Sequence, residues 1–296
     1  MSSPKPDKNL FLIAASMVEH QVLKSFLEYG QHGCVLLCER IQSARQTNWQ
    51  NEKGTYVCII DSSSSSLHGI VFASNTGLVL HCLSKKLCTQ LKDEAICLLA
   101  DFMKNRSLYC ISGTSDGTSI IRQAVKTSGS FPLPVTCREY ILMKFDKTSP
   151  EQKANAIPVV SCNESHLEEL YPLQSQYDQV EVIPPNQQFC QQLCKKNLLR
   201  TLIQNRVYAI QGKNCFEAKA SINALTDKYC QIGGVFTKTD CRGKGHAARL
   251  VRFIALNATQ QGKETVLFVR VQNNPAIQAY KNAGFKPIGT YEIDYY

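Results

Sequence analysis

"CRGKGHAARL", Cys241 to Leu250, places two glycines and two cations between an apolar run, Ile232 to Phe236, and a second one, Ala247 to Ala255. The first run has the length of a strand and the second the spacing of a helix. A glycine pair at such a handover lets successive backbone N–H groups face one concavity without side chains in the way. A helix starting near Gly245 adds unpaired N–H groups and the positive end of its dipole. Arg242 and Lys244 add charge. The assembly suits a diphosphate, although the four residues alone equally fit a tight turn before a basic helix.

Working outward, the second half of the chain reads as a strand ("AIPVVSC") and a helix opened by a polar cap ("NESHLEELYPL"). A second helix ("PNQQFCQQLCKKNLL") has proline near its start. Strands "RVYAI", "FEAKASINAL" and "YCQIGGVFT" follow, the first two joined by the turn "QGKN". A helix from Gly245 to Gln261 is closed by Gly262. Strand "TVLFVRV", a helix from Pro275 to Ala283 and strand "PIGTYEIDYY" complete the half.

The first half has the same rhythm. Helical periodicity covers Met17 to Tyr29, with the apolar run Leu10 to Val18 leading into it, and then Gly33 to Ile41. Strands "TYVCII", "GIVFAS" and "GLVLHC" follow; "SNTG" is a hairpin turn and Ser62 to Ser66 a polar loop. A helix from Lys86 to Met103, strand "LYCISG", a helix from Thr118 to Lys126 and strand "REYILMKF" end it. The boundary falls at Asp146 to Asn155, which is polar and lacks apolar periodicity. The expected domains are 1–146 and 155–296. Alternation of helices and strands excludes all-α and all-β classes and predicts a mixed α/β fold duplicated in tandem.

The composition is globular, with 44% apolar residues in 296. A net charge of +9 favours anionic partners, yet no run of five cations marks a nucleic-acid tail. The 14 cysteines include no Cys-x-x-Cys pair, and neither Cys34/Cys38 nor Cys190/Cys194 has metal-ligand company in sequence. Buried free thiols in a reducing cytoplasm are expected, without a metal. The basic, apolar start is read as mature sequence rather than as a signal peptide. No apolar run is long enough to span a membrane.

The loop is followed by strand "TVLFVRV" and then by "NNPAIQAYKNAGF". Together these runs resemble the GNAT superfamily of N-acetyltransferases. That family's acetyl-CoA loop, Arg/Gln-x-x-Gly-x-Gly/Ala, is filled by Arg242, Gly245 and Ala247. Its later Asn-x-x-Ala-x-x-x-Tyr-x-x-x-Gly-Phe is filled by Asn273, Ala276, Tyr280, Gly284 and Phe285. The likeness runs over about residues 156–296. It is nearest to bacterial two-domain GNAT proteins with a non-catalytic first half, each domain a mostly antiparallel mixed sheet flanked by helices.

The resemblance implies that Arg242, Gly243, Lys244, Gly245, His246 and Ala247 hold the CoA pyrophosphate. Gly234 with Val235, Phe236 and Thr237 would bind the pantetheine arm by their backbone, after a bulge at Gly233 and Gly234. Asn273 would bind the arm or a water. Tyr280 would protonate the departing thiolate, and a backbone N–H near Val235 or Phe236 would polarise the thioester. Glu181 is the candidate base. Asp178, Glu181 and Asn223 are candidates for binding the amine acceptor. His246 is expected to point outward, to phosphates or solvent, and Cys241 to be a spectator.

In the first half "SGTSDGTSI" is taken as the stretch matching the loop; it lacks the cations, which implies lost cofactor binding and a role in packing and in walling the acceptor pocket. The activity implied is acetyl-CoA-dependent transfer to a primary amine of a small molecule or protein. The alternative is a non-catalytic acyl-CoA-binding regulatory module. Neither membrane nor nucleic acid is an expected partner, and a homodimer is compatible with this reading.

Overall fold

The computed structural model describes residues 9–49, 52–148, 158–185 and 187–296. Most of the expected linker, residues 149–155, and the first residues of "AIPVVSC" lie outside these, as do the basic start of the chain and Asn186. The chain divides into two compact units. One comprises the residues up to Glu139 together with Thr290–Tyr296; the other is Tyr140–Gly289.

The first unit holds β1 (Leu10–Ala14), α1 (His20–Gly30), α2 (Val35–Gln46), β2 (Gly54–Asp61), β3 (Leu67–Ser74) and β4 (Leu78–Leu83). It continues with α3 (Lys85–Thr89), α4 (Lys92–Met103), β5 (Cys110–Thr114), α5 (Ser115–Ser128) and the start of β6 (Thr136–Phe145). Its strands run in the order β1-β2-β3-β4-β5, and beyond β5 comes the end of the chain's last strand, β12 (Phe285–Tyr295). Every described pairing is antiparallel except β4 with β5.

The second unit holds the rest of β6, then β7 (Val159–Cys162), α6 (Leu167–Tyr177), α7 (Gln191–Ile203), β8 (Val207–Gln211), β9 (Phe216–Leu225) and β10 (Tyr229–Thr237). After these come α8 (His246–Gln260), β11 (Glu264–Arg270), α9 (Asn274–Asn282) and the start of β12. The order is β6-β11-β10-β9-β8-β7, antiparallel except β10 with β11. A parallel neighbour needs a crossover, which α8 supplies. The apolar stripe Leu250, Val251, Ile254 of α8 packs on Ala220, Cys230, Ile232 and Leu267. Leu170, Leu173, Leu198 and Leu202 of α6 and α7 pack on Val207, Ala209 and Phe236. The expected fold class is therefore present in both units.

Several element boundaries differ from the reading of the sequence. Leu10–Ala14 is a strand, not the lead into a helix: all five residues pair with β2, from Leu10↔Asp61 to Ala14↔Val57. An apolar pentad is ambiguous by periodicity alone, and partnership with a strand some fifty residues away decides it. The helix expected over Lys86–Met103 is broken; Ser84 caps α3 by accepting from Leu87 N–H, and Asp93 and Glu94 favour a second start at α4. α7 begins at Gln191, well past Pro185, so that proline is not in its first turn. α5 begins at Ser115, three residues earlier than read. Asn163 does cap the helical entry to α6, in a capping box with His166, and Gly262 takes the positive φ of 74° expected of a helix stop.

Candidate functional site

Parallel pairing of β10 with β11 stops at Ile232↔Leu267. On its other edge β10 jumps register against β9 between Gln231 and Ile232 and again between Gly233 and Phe236. Gly234 takes a φ of 58°, open to glycine and costly for most other residues. A Cβ on Gly233 would strike the Asn223 amide across the strands. The glycine pair thus makes the bulge expected of it, and the strands part into a cavity of about 650 Å³.

One end of that cavity is the loop. Gly243 and Gly245 have φ of 80° and 81°, and a Cβ on either would meet nothing within 4 Å. These glycines are required by backbone conformation, and the space over them is open. Gly245 caps α8 without a side chain, so the N–H groups of the first turn have no side-chain cap, and His246, Ala247 and Ala248 all line the cavity. No acidic residue sits in that turn. Arg242 is exposed beside it, its Nε 3.4 Å from the Thr237 carbonyl. Lys244 does not line the cavity; its ammonium lies 3.8 Å from Glu217.

Underneath, His246 departs from expectation. Its ring is 2% exposed and turned inward, with Nε2 2.8 Å from Glu217 Oε2. The physical reason is a carboxylate on β9 that the sequence places 29 positions away. That bond holds the Glu217 carboxyl below its usual range. Only the His246 backbone remains for an anion. Cys241 is buried, and burial raises its thiol pKa rather than lowering it, in line with a spectator.

The middle of the cavity is walled by Tyr280 and Asn273. Tyr280 is 6% exposed, burial pushes its pKa up, and its hydroxyl makes no hydrogen bond among the described residues. Asn273 caps α9, its Oδ1 accepting from Ala276 N–H at 3.2 Å. Val235, Phe236 and Thr237 form the β10 wall.

Tyr140, Tyr177, Val180, Glu181 and Arg270 also line the cavity. α6 runs on into a π-helical turn, Asp178–Val182. Arg270 secures that turn: Nε stands 2.9 Å from Glu181 Oε2, and Nη2 donates to the Glu181 carbonyl at 2.8 Å. Asp178 and Asn223 are not among the lining residues. Asp178 accepts from Gln174 Nε2 at 2.7 Å, and Asn223 is exposed over Gly233. Glu217, Lys219, Tyr177 and Arg270 were missed by sequence reasoning. The one available signal was Glu217, Lys219, Ser221 and Asn223 alternating along an otherwise alanine-rich strand.

The first unit provides an internal comparison. By element order the counterpart of the loop is the junction of β4 with α3, at Ser84 to Lys86, not "SGTSDGTSI", which joins β5 to α5. The earlier match fails because both stretches are turns into helices, and only the strand count separates them. Parallel pairing ends at Leu80↔Ser112. The next residue is His81, where β10 has Gly233. β4 keeps an unbroken register with β3, so no bulge forms. The His81 ring instead fills the split: a Cβ on Gly113 or Gly117 would run into it, and Nε2 lies 3.0 Å from Thr118 Oγ1.

Residues 216–293, which span β9 to β12, match the family model described as FR47-like protein. The whole chain is similar in structure to an acetyltransferase of the GNAT family from Colwellia psychrerythraea (TM-score 0.57, 11% identity, 97% of this chain and 98% of that one). It is similar to a GCN5-related N-acetyltransferase from Sphaerobacter thermophilus (TM-score 0.55, 13% identity, 98% and 95%). A third likeness is to a tandem GNAT protein from the clavulanic acid biosynthesis pathway (TM-score 0.53, 9% identity, 96% and 97%). No curated protein matches. The fold is that of the GNAT acetyltransferases, with a tandem GNAT protein among its likenesses. Among the described residues, no helix is long and apolar enough to cross a membrane, and no group of three or more His, Cys, Asp or Glu is placed to hold a metal ion.

Proposed function

We propose that the protein transfers the acetyl group of acetyl-CoA to a primary amine, with residues 155–296 carrying the chemistry and 1–146 binding no cofactor. The observation that supports this best is a juxtaposition in one cavity. An open, glycine-flanked helix start with Arg242 lines it, and the Tyr280 hydroxyl, unpartnered among the described residues, stands in the wall. The residues fit the donor: the first-turn amides of α8 and Arg242 suit a diphosphate, and the bulged edge of β10 offers backbone groups to an amide-bearing arm.

Acetyl-CoA supplies an acyl group already activated as a thioester. A backbone N–H of the β10 bulge polarises its carbonyl. The neutral amine bonds to the carbonyl carbon and the carbon–sulfur bond breaks. Tyr280, kept protonated at neutral pH by burial, hands its proton to the sulfur. Glu181 lines the acceptor end and receives the proton lost by the amine, with Arg270 holding its carboxylate in place. A CoA-release assay against polyamines, amino acids, aminoglycoside-like amines and peptide N-termini tests the reading. Amine-dependent release with one of these classes is expected; acetyl-CoA binding without amine-dependent release from any of them contradicts it.

A further inference from the structure

Lys219 lies in the middle of β9 with no exposed surface. Lysine is almost never buried to that extent unless paired with an opposite charge. Yet among the described residues Lys219 makes no ion pair; Asp178 attracts it only at longer range. Among the described residues, its one side-chain hydrogen bond runs from Nζ to the carbonyl of Gly234, at 2.8 Å. The ammonium also lies 5.1 Å from the centre of the Tyr177 ring. Burial pushes the Lys219 pKa down to about 8, so at neutral pH it is a charged group kept inside at a cost. A methionine would fill the same space without that cost, which points to a task beyond packing.

The task is visible in the bulge. Ladder pairing of β10 with β9 skips from Gly233↔Ser221 to Phe236↔Lys219, so Gly234 falls in the gap with no register partner on β9. A glycine at positive φ has little of its own to stop its peptide from turning over. We propose that Lys219 is a positioning residue for acetyl transfer: by gripping the Gly234 carbonyl it locks the Gly234–Val235 peptide with the Val235 N–H aimed at the thioester oxygen. In a planar trans peptide the C=O and the following N–H point in opposite directions, so fixing one fixes the other. Lys219 itself does not line the cavity and touches no substrate; Gly234 and Val235 do. This rests on the acetyl-CoA reading of the cavity and adds to it the residue that sets which amide polarises the carbonyl.

The test needs no knowledge of the acceptor. Acetyl-CoA labelled with carbon-13 at the carbonyl is bound to the full-length protein, and its carbonyl resonance is compared with that of the free thioester. Wild type should move the resonance in the direction of a hydrogen-bonded carbonyl. Lys219→Met should lose most of that displacement while binding acetyl-CoA within a few-fold of wild type and keeping its circular dichroism. Lys219→Leu, which has no donor, serves where Lys219→Met does not fold. An unchanged displacement in either folded variant overturns the role of Lys219 and leaves the cofactor reading intact. No acetyl-CoA binding by wild type overturns the cofactor reading and this inference with it.

Discussion

In the proposed reaction Tyr280 gives its proton to the leaving thiolate. Its phenol is buried, raised in pKa and free of partners among the described residues, so its proton is available to a leaving thiolate. Tyr280→Phe should lower the single-turnover rate of amine acetylation by ~100-fold, the low end of what general acid catalysis contributes. The acetyl-CoA affinity should stay within about threefold, because the hydroxyl acts after binding. Rapid-quench measurement of acetyl transfer decides; an unchanged rate would mean that the ring only packs on Phe285. The place of Tyr280 in the cavity wall was legible through the family resemblance of the run Asn273 to Phe285, because its spacing on one helix fits a core tyrosine equally well. Lys219, Glu217 and the inward turn of His246 were not, because each depends on a partner 15 to 29 positions away.

At the scale of elements, β10 and β4 show how one strand position opens or closes a cleft. Both are the third strand of a meander, both precede a helix, and both pair in parallel with the strand beyond it. β10 carries Gly233 and Gly234 and splits from its neighbour; β4 carries His81, whose ring occupies the split. Burial pushes His81 down to about 4, so folding keeps it neutral while the unfolded chain protonates near 6.5. Because the folded value is depressed, the associated stability is intact above pH 6.5 and is lost as pH falls toward 4. A shift of that size corresponds to about 3 kcal/mol. Urea unfolding of the full chain between pH 7 and 4 should show wild type losing about that much more stability than His81→Gln. Parallel pH dependences in the two proteins would remove His81 as the acid-sensitive plug. β1 belongs to the same lesson: its five apolar residues could not be told from a helix entry until β2 was beside them.

For the whole molecule, the repeat was legible in the order of elements before any contact was known, and β1 makes the two passes match strand for strand. What the order could not show is that β6 and β12 each pass from one unit into the other, so that Thr290–Tyr296 belongs with the first unit. There Asp294, wholly buried, is held by Arg122 of α5 through Nε at 2.6 Å. Pairing across such sequence distances leaves no local periodicity to read. In the proposed reaction only the second unit, with its bulged strand and open loop, binds the donor. Isothermal titration of acetyl-CoA into the full-length protein and into Gly245→Asp tests it most directly. A Cβ at Gly245 meets nothing within 4 Å, but the φ of 81° strains an Asp there by about 1–2 kcal/mol, so circular dichroism and thermal melting must show the variant folded before it is titrated. Its carboxylate would stand where the diphosphate goes. Wild type should bind one acetyl-CoA per chain, and the variant should bind it at least ~10-fold more weakly, about 1.4 kcal/mol. Two molecules bound per chain, or equal affinity in the two proteins, would contradict it.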